Sequence, residues 1–118
     1  MNARSLMQRW LPSRSHDEAL AVESESPATL TLRQGRLVTA FDRLSRTVTQ
    51  QGKLVARFGA IRHVQVQAQG AQPDAQEWFV CLQLAGTSRV RVGHCPEASG
   101  AAELAARIGS VTGVDVVS

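Results

Sequence analysis

The chain has 118 residues, a formal net charge of +3, 43% hydrophobic residues and 4% aromatic ones. A chain of this length forms one domain, and it buries enough surface to be stable without disulfides or metals. Tyrosine is absent, so the composition disfavours an aromatic platform for single-stranded nucleic acid. No apolar run is long enough for a secretory signal or a membrane-spanning helix. We therefore expect a cytoplasmic protein in which Cys81 and Cys95 are reduced thiols.

Residues 1–28 lie outside the domain that the sequence predicts. A short segment containing Arg4, Trp10 and Leu11 has one apolar helical face until Pro12 interrupts it. Such a segment is a candidate membrane anchor, with the indole at headgroup depth and the arginine near phosphate. The alternative is an untethered start of the chain or a segment packed on a domain surface. Residues 13–28 are rich in serine, glutamate and alanine, which predicts a flexible acidic linker before a domain over 29–118.

Period-two alternation of apolar and polar residues predicts seven strands. They cover 29–33, 36–42, 46–50, 53–58, 61–69, 76–85 and 88–93. Gln51-Gly52 is expected to form a tight hairpin turn between two of them. In the strand over 76–85, Trp78 and Phe79 must face opposite ways, and the sequence does not decide which of the two is buried.

A single helical period follows the strands, and it predicts a helix from about Pro96 to Thr112. Pro96 and Glu97 suit a first helical turn, and Gly113 suits a left-handed end. Residues 114–117 form either an added edge strand or a tail. The helix and the strands are expected to share one core, formed by Phe41, Val64, Val66, Val80, Leu82, Leu84, Val90, Val92, Leu104 and Ile108.

Four stretches carry a resemblance to a known family: 41–43 together with 46–48, 61–64, 78–84, and the helix over 101–108. In this order they resemble a small bacterial pleckstrin-homology-like (PH-like) domain, over about residues 29–113. The resemblance implies an α+β fold in which a bent antiparallel sheet, or partly open barrel, of about seven strands is capped by one C-terminal helix. It implies no activity, because that scaffold serves many kinds of partner.

The basic residues between 29 and 62 are the main candidate for binding an anion, because seven cations there accompany Asp42 alone. PH domains that bind phosphoinositides carry such residues on their first strands. The resemblance therefore points to Arg36, Arg43, Arg46 and Lys53. Clustered near an anionic membrane, each would contribute about 1 kcal/mol. The alternative interpretation is that they are solvated residues that protect sheet edges.

His94 and Cys95 carry the chemistry of an enzyme hypothesis. A helix N-terminus beside Cys95 would lower the pKa of its thiol, and His94 would supply a base. However, neighbours in an extended chain point to opposite faces, so the pair need not touch. Together with Cys81 and His63 they lack the paired spacing of zinc ligands, and no cofactor is expected.

These observations favour a non-enzymatic interaction domain that docks a protein partner on a sheet edge or in the groove beside the C-terminal helix. Binding to an anionic membrane surface or polyanion through the basic first strands is the alternative, at the inner face of the membrane. A thiol-dependent enzyme using Cys95 ranks third. No sequence-specific nucleic-acid binding is expected, because no recognition motif accompanies the basic stretch.

Overall fold

The computed structural model describes residues 19–70 and 75–118. In chain order these residues form β1 (Ala21–Glu25), β2 (Thr29–Gln34), β3 (Leu37–Asp42), β4 (Thr47–Gln50), β5 (Lys53–Arg57), a 3-10 turn (Phe58–Ala60), β6 (His63–Gln69), β7 (Glu77–Gln83), β8 (Arg89–Cys95), helix α1 (Ala98–Thr112) and β9 (Val116–Val117). Over these ranges the fold is α+β, with nine strands in two sheets and one α-helix towards the C-terminus. Within them, no helix is long and apolar enough to cross a membrane.

The first sheet is an antiparallel meander in the order β1-β2-β3-β4-β5. Alternation places Leu30 and Leu32 of β2 and Phe41 of β3 in the core. The β4–β5 hairpin turns through Gln51 and Gly52, both with positive φ, at 53° and 80°. Two left-handed residues in succession are typical of a tight turn that matches the twist of its strands. The hairpin predicted at these two residues is confirmed.

The second sheet has the order β8-β7-β6-β9. β6, β7 and β8 are antiparallel neighbours, whereas β9 lies parallel to β6. The carbonyl oxygen of Asp115 accepts a hydrogen bond from the backbone N–H of Val64 at 2.8 Å. Of the two alternatives left for residues 114–117, the structure therefore shows an added edge strand at Val116–Val117.

Helix α1 packs against β6 and β7 with the apolar face that the sequence predicts. It begins at Ala98, so Pro96 lies before the helix and Glu97 is its N-cap residue, rather than both lying in the first turn. Gly113 ends it at φ 81°, and its N–H donates to Gly109. A left-handed terminal glycine satisfies a carbonyl that would otherwise lack a partner. The buried helical residues are Ala101, Leu104, Ala105, Ile108 and Thr112.

The core joins both sheets to the helix. The core predicted from the sequence is buried, except that Leu84 and Val90 are half-buried and pack against its margin. The sheets do not close into a barrel, so a partly open barrel is not confirmed. Truncation of a buried leucine in such a core costs about 2–5 kcal/mol, through lost burial and the cavity that remains.

Two glutamine side chains of the first sheet bind the backbone of β8. The amide of Gln34 accepts from the N–H of His94 at 2.8 Å and donates to its carbonyl at 3.2 Å. Gln50 donates to the carbonyl of Arg91 at 2.8 Å. Because β8 is the last strand of its sheet, these amides satisfy backbone groups that strand pairing leaves free.

β1 lies in the stretch that was expected to be a flexible linker, and that expectation is corrected for Leu20 to Glu25. Leu20 is buried in the core, and its N–H donates to the carbonyl of His94 at 3.0 Å. Glu23 forms an ion pair with Arg33 on β2. The fold therefore begins before Thr29, because these contacts anchor a strand whose own composition is mostly polar.

Candidate functional site

The four basic residues singled out in the first half do not form one site. In a meander, successive turns lie at alternating ends of the sheet. Arg36 in the β2–β3 turn and Lys53 after the β4–β5 turn therefore lie at one end, and Arg43 and Arg46 in the β3–β4 turn lie at the other. A six-residue strand separates the two ends by roughly 20 Å. Charges at that separation are screened from one another at physiological ionic strength.

The β3–β4 turn presents an exposed leucine between two arginines. Leu44 is 84% exposed, and Arg43 and Arg46 on either side are exposed as well. The carboxylate of Asp42 accepts hydrogen bonds from the N–H groups of Leu44 at 2.8 Å and Ser45 at 3.2 Å, which fixes the turn. Arg46 has φ of 59° and places its guanidinium 5.7 Å from the ring centre of Phe58. A side chain in this left-handed conformation costs about 1 kcal/mol or more.

The described residues contain four edge strands. The backbone of β8 is bound by Gln34 and Gln50, and β9 has two residues. β1 pairs with β2 through an irregular register, and one exposed ion pair, in which Arg107 donates to Glu25 at 2.7 Å, links it to the helix. β5 is the fourth, and in the described parts of the chain it pairs with β4 alone.

The free edge strand β5 has one exposed apolar side chain between two cations. Leu54 is 53% exposed, and Lys53 and Arg57 are exposed at the ends of the strand. A bulge at Val55 interrupts the pairing with β4, since Thr49 lies opposite Leu54 and Val48 opposite Ala56. Val55 and Ala56 contribute to the core, so the strand is held firmly on its inner side.

The groove between the helix and β6 is covered by the chain itself. β9 pairs with Val64 and Gln65 of β6. A Cβ atom at Gly109 would lie 2.9 Å from the carbonyl oxygen of Val114 and 3.2 Å from a methyl of Val116, so helix and C-terminal segment are in close contact. One of the two docking positions expected from the sequence, the helix groove, is therefore occupied by β9.

Cys95 is buried, and its thiol lies 3.8 Å from the carbonyl oxygen of Leu20. Burial raises the pKa of this thiol, and the nearby carboxylate of Glu77 raises it further. These effects oppose formation of a thiolate, which is the opposite of what the thiol-enzyme hypothesis requires.

His94 faces away from Cys95. The register pairs His94 with Phe79 and Cys95 with Trp78, so the imidazole and the thiol lie on opposite faces of β8. The Nδ1 atom of His94 is 2.9 Å from a carboxylate oxygen of Glu77. An acidic partner for this imidazole could not be predicted from the sequence, because Glu77 lies beside it only through the pairing of β7 with β8.

The structure also answers the question about the two adjacent aromatic residues. Trp78 packs against the margin of the core. Phe79 lies on the outer face, where Arg91 stacks on its ring at 4.7 Å and the ring of His94 lies 4.8 Å away. Both are half-buried, so neither forms a fully exposed aromatic patch.

The sequence analysis missed a basic pocket at one end of the second sheet. Its volume is about 460 Å³, and it is lined by Arg62, His63, Gln83, Gly86, Thr87 and Arg89. These residues come from three strand ends and one turn, so no local motif marks them. The sequence feature that could have indicated this pocket is the series of polar residues on the solvent-facing side of β6 and β8.

Two further candidate groups are the metal ligands and the membrane anchor considered from the sequence. Among the described residues no cluster of three His, Cys, Asp or Glu side chains could hold a metal ion. Arg4, Trp10 and Leu11 lie outside the described residues, and the membrane anchor assigned to them stays a prediction.

No protein-family model matches this chain, and neither a curated protein nor a solved structure is significantly similar to it.

Proposed function

We propose that this chain is a non-enzymatic interaction domain of PH-like architecture that docks an extended, acidic segment of a partner protein against β5. The observation that carries the proposal is β5 itself: among the described residues this edge strand pairs with β4 alone and presents an exposed leucine between two cations. An extended peptide can add to such an edge through main-chain hydrogen bonds, while side-chain contacts supply specificity.

Leu54 provides the apolar contact for such a segment. Full burial of an exposed leucine contributes about 1.5–3 kcal/mol, so covering a half-exposed one contributes about half of that. Here the side chain is 53% exposed before a partner arrives. Because Val55 and Ala56 anchor the strand to the core, the edge is rigid, and little ordering is needed when the partner binds.

Lys53 and Arg57 select the charge of the partner. Cations and bulges on edge strands oppose non-specific pairing, including pairing of β5 with a second copy of itself. A segment with acidic residues at matching positions turns the same charges into an attraction that speeds association. The proposed ligand is therefore an extended segment in which acidic and apolar residues alternate.

A matched pair of leucine variants tests this function. Peptides are selected from a displayed random library on the wild-type protein, and their affinity is then measured for Leu54→Asp and Leu44→Asp. Both leucines are exposed, so neither change should unfold the domain. The proposal expects acidic, alternating peptides whose affinity falls about tenfold or more in Leu54→Asp and is unchanged in Leu44→Asp.

Charge reversal adds a second arm to the same experiment. Lys53→Glu with Arg57→Glu should abolish binding of the acidic peptides, since it replaces attraction by repulsion. The proposal fails if no acidic peptide is enriched, or if the two leucine variants lose affinity equally.

A second candidate function rests on a different observation, the exposed Leu44 between Arg43 and Arg46 at the tip of the β3–β4 turn. This arrangement suits weak attachment to an anionic membrane, with the leucine entering the headgroup layer and the arginines near phosphate. The original set of four cations is thereby reduced to the two that share this tip.

Sedimentation with vesicles containing phosphatidylserine tests the membrane candidate. The double variant Arg43→Glu/Arg46→Glu should lose most vesicle binding. The double variant Arg36→Glu/Lys53→Glu changes the net charge by the same amount at the opposite end of the sheet, and it should keep most vesicle binding. Binding should also weaken as salt rises, because the arginines are exposed. Deletion of residues 1–14 tests Trp10 and Leu11 separately. Vesicle binding through an inserted anchor should not depend on salt, so the binding lost on deletion should be the same at low and high salt. Equal losses in the two double variants would contradict the candidate.

A further inference from the structure

The basic pocket of the second sheet is assembled by strand register. His63 at the start of β6 lies opposite Gln83 at the end of β7, and Gln83 lies opposite Arg89 at the start of β8. Arg62 is placed at the same end, because its N–H donates to the carbonyl of Gln83 at 2.7 Å. The side chains of His63, Gln83 and Arg89 therefore share one face of the sheet, and Arg62 lines the same pocket.

Gln83 fixes the turn that forms one wall of the pocket. Its amide nitrogen lies within hydrogen-bonding distance of the carbonyl oxygens of Leu84, Gly86 and Ser88, at 3.1, 3.1 and 3.0 Å. The turn carbonyls beside the pocket thus already have a donor. The hydrogen-bonding groups of this wall that remain free for a ligand are mainly donors, and the hydroxyl of Thr87 is one of them.

Arg89 is oriented before any ligand binds. Its Nε atom donates to the amide oxygen of Gln83 at 3.3 Å, and one terminal nitrogen donates to Gln67 at 3.2 Å. These bonds use two of the five N–H groups of the guanidinium, so the others remain for an anion. A pre-oriented guanidinium loses less entropy on binding than a free one.

Among the described residues, no carboxylate and no wholly apolar side chain lines the pocket. We propose that it binds a phosphate monoester carried on a small polar group such as a polyol. Paired arginines match the geometry of phosphate oxygens. The volume of about 460 Å³ lies in the range of small-ligand sites and exceeds what a phosphate group alone would fill. The polar side chains of the lining offer hydrogen bonds to a hydroxyl-rich carrier.

Titration with glycerol phosphate, followed by amide chemical shifts, tests the proposal. The amides of Arg62, His63 and Thr87 should shift, and glycerol without phosphate should move none of them. Arg62→Gln and Arg89→Gln should each weaken binding about tenfold or more. Arg36→Gln removes an equally exposed arginine outside the pocket and should change the affinity by less than about twofold.

Two controls keep the result decisive. Arg89 is bonded to Gln67 and Gln83, so its loss could disturb the sheet. The side chain of Arg62 makes no such bond among the described residues. The Arg62→Gln variant is therefore the decisive one, once circular dichroism has shown that it is folded. Vesicles containing phosphatidylinositol phosphate form the second arm.

The arms separate the two sources of the phosphate. Binding of soluble glycerol phosphate supports a free metabolite, while vesicle binding alone, lost in Arg62→Gln, supports a lipid headgroup. Absence of both, or equal losses in Arg62→Gln and Arg36→Gln, would overturn the proposal. It is independent of docking on β5, because the pocket lies in the other sheet.

Discussion

The thiol of Cys95, the nucleophile of the third-ranked enzyme hypothesis, is buried in the core. The chain beside it does enter a helix, as a reactive thiol would require, but the side chain turns inward to the core and lies near the carbonyl of Leu20. Desolvation then acts against the thiolate, and Glu77 adds a repelling charge. At this residue, burial has a larger effect on the thiol pKa than the nearby helix N-terminus has.

The raised pKa of Cys95 predicts a dependence of stability on alkaline pH. Below the ordinary thiol pKa of about 8.5 the thiol is neutral in the folded and unfolded states alike, and its contribution is fully present. As pH rises past that value the unfolded chain ionises first, so the free energy of unfolding should fall until the folded thiol ionises too. Thiolate absorbance of Cys81→Ala, compared with Cys81→Ala/Cys95→Ala, should show a midpoint above 8.5. A midpoint near neutrality would restore the thiol-enzyme hypothesis.

The elements are held together by side chains that sequence patterns do not identify. Gln34 ends β2 and looks like an ordinary polar strand residue, yet it binds both backbone groups of His94. It also lies close to Gly93, where an added Cβ would be 2.5 Å from the amide oxygen of Gln34. The absence of a side chain at Gly93 is what lets the two sheets approach there.

Replacing Gln34 by alanine should destabilise the domain by about 1–3 kcal/mol, because it removes two hydrogen bonds from a partly buried contact between the sheets. Gln69→Ala is the matched control, since that glutamine lies exposed on β6. Urea denaturation of both variants measures the difference. Equal stabilities would show that Gln34 does not join the sheets.

Alternation and the helical period predicted seven of the strands and the helix, because most of them bury a regular apolar series, as β2, β6 and the helix do. β1 was missed, because Val22 is its one large apolar residue. The strand is held instead by pairing with β2 and by the ion pair of Glu23 with Arg33. The separation of Arg36 from Arg43 was already implied by the order of the turns. The pocket around Gln83 was not, because it depends on the register of β6, β7 and β8.

At the scale of the whole molecule, the edges of the two sheets decide where a partner can bind. Gln34 and Gln50 of the first sheet bind β8, one exposed ion pair links β1 to the helix, and β9 pairs with β6. In the described parts of the chain β5 pairs with β4 alone, and its Leu54 lies exposed between Lys53 and Arg57. The basic pocket lies in the other sheet, so the domain offers separate surfaces for a peptide and for a small anion.

Amide hydrogen exchange tests docking on β5 most directly, because a strand that adds to an edge must protect the backbone N–H groups that face it. Exchange is measured with and without a selected acidic peptide at saturating concentration. The proposed function predicts slower exchange at alternate amides between Lys53 and Arg57, lost in Lys53→Glu/Arg57→Glu. Protection confined to residues 64–66 of β6, with release of Val116 and Val117, would contradict it and show that the peptide displaces β9 instead.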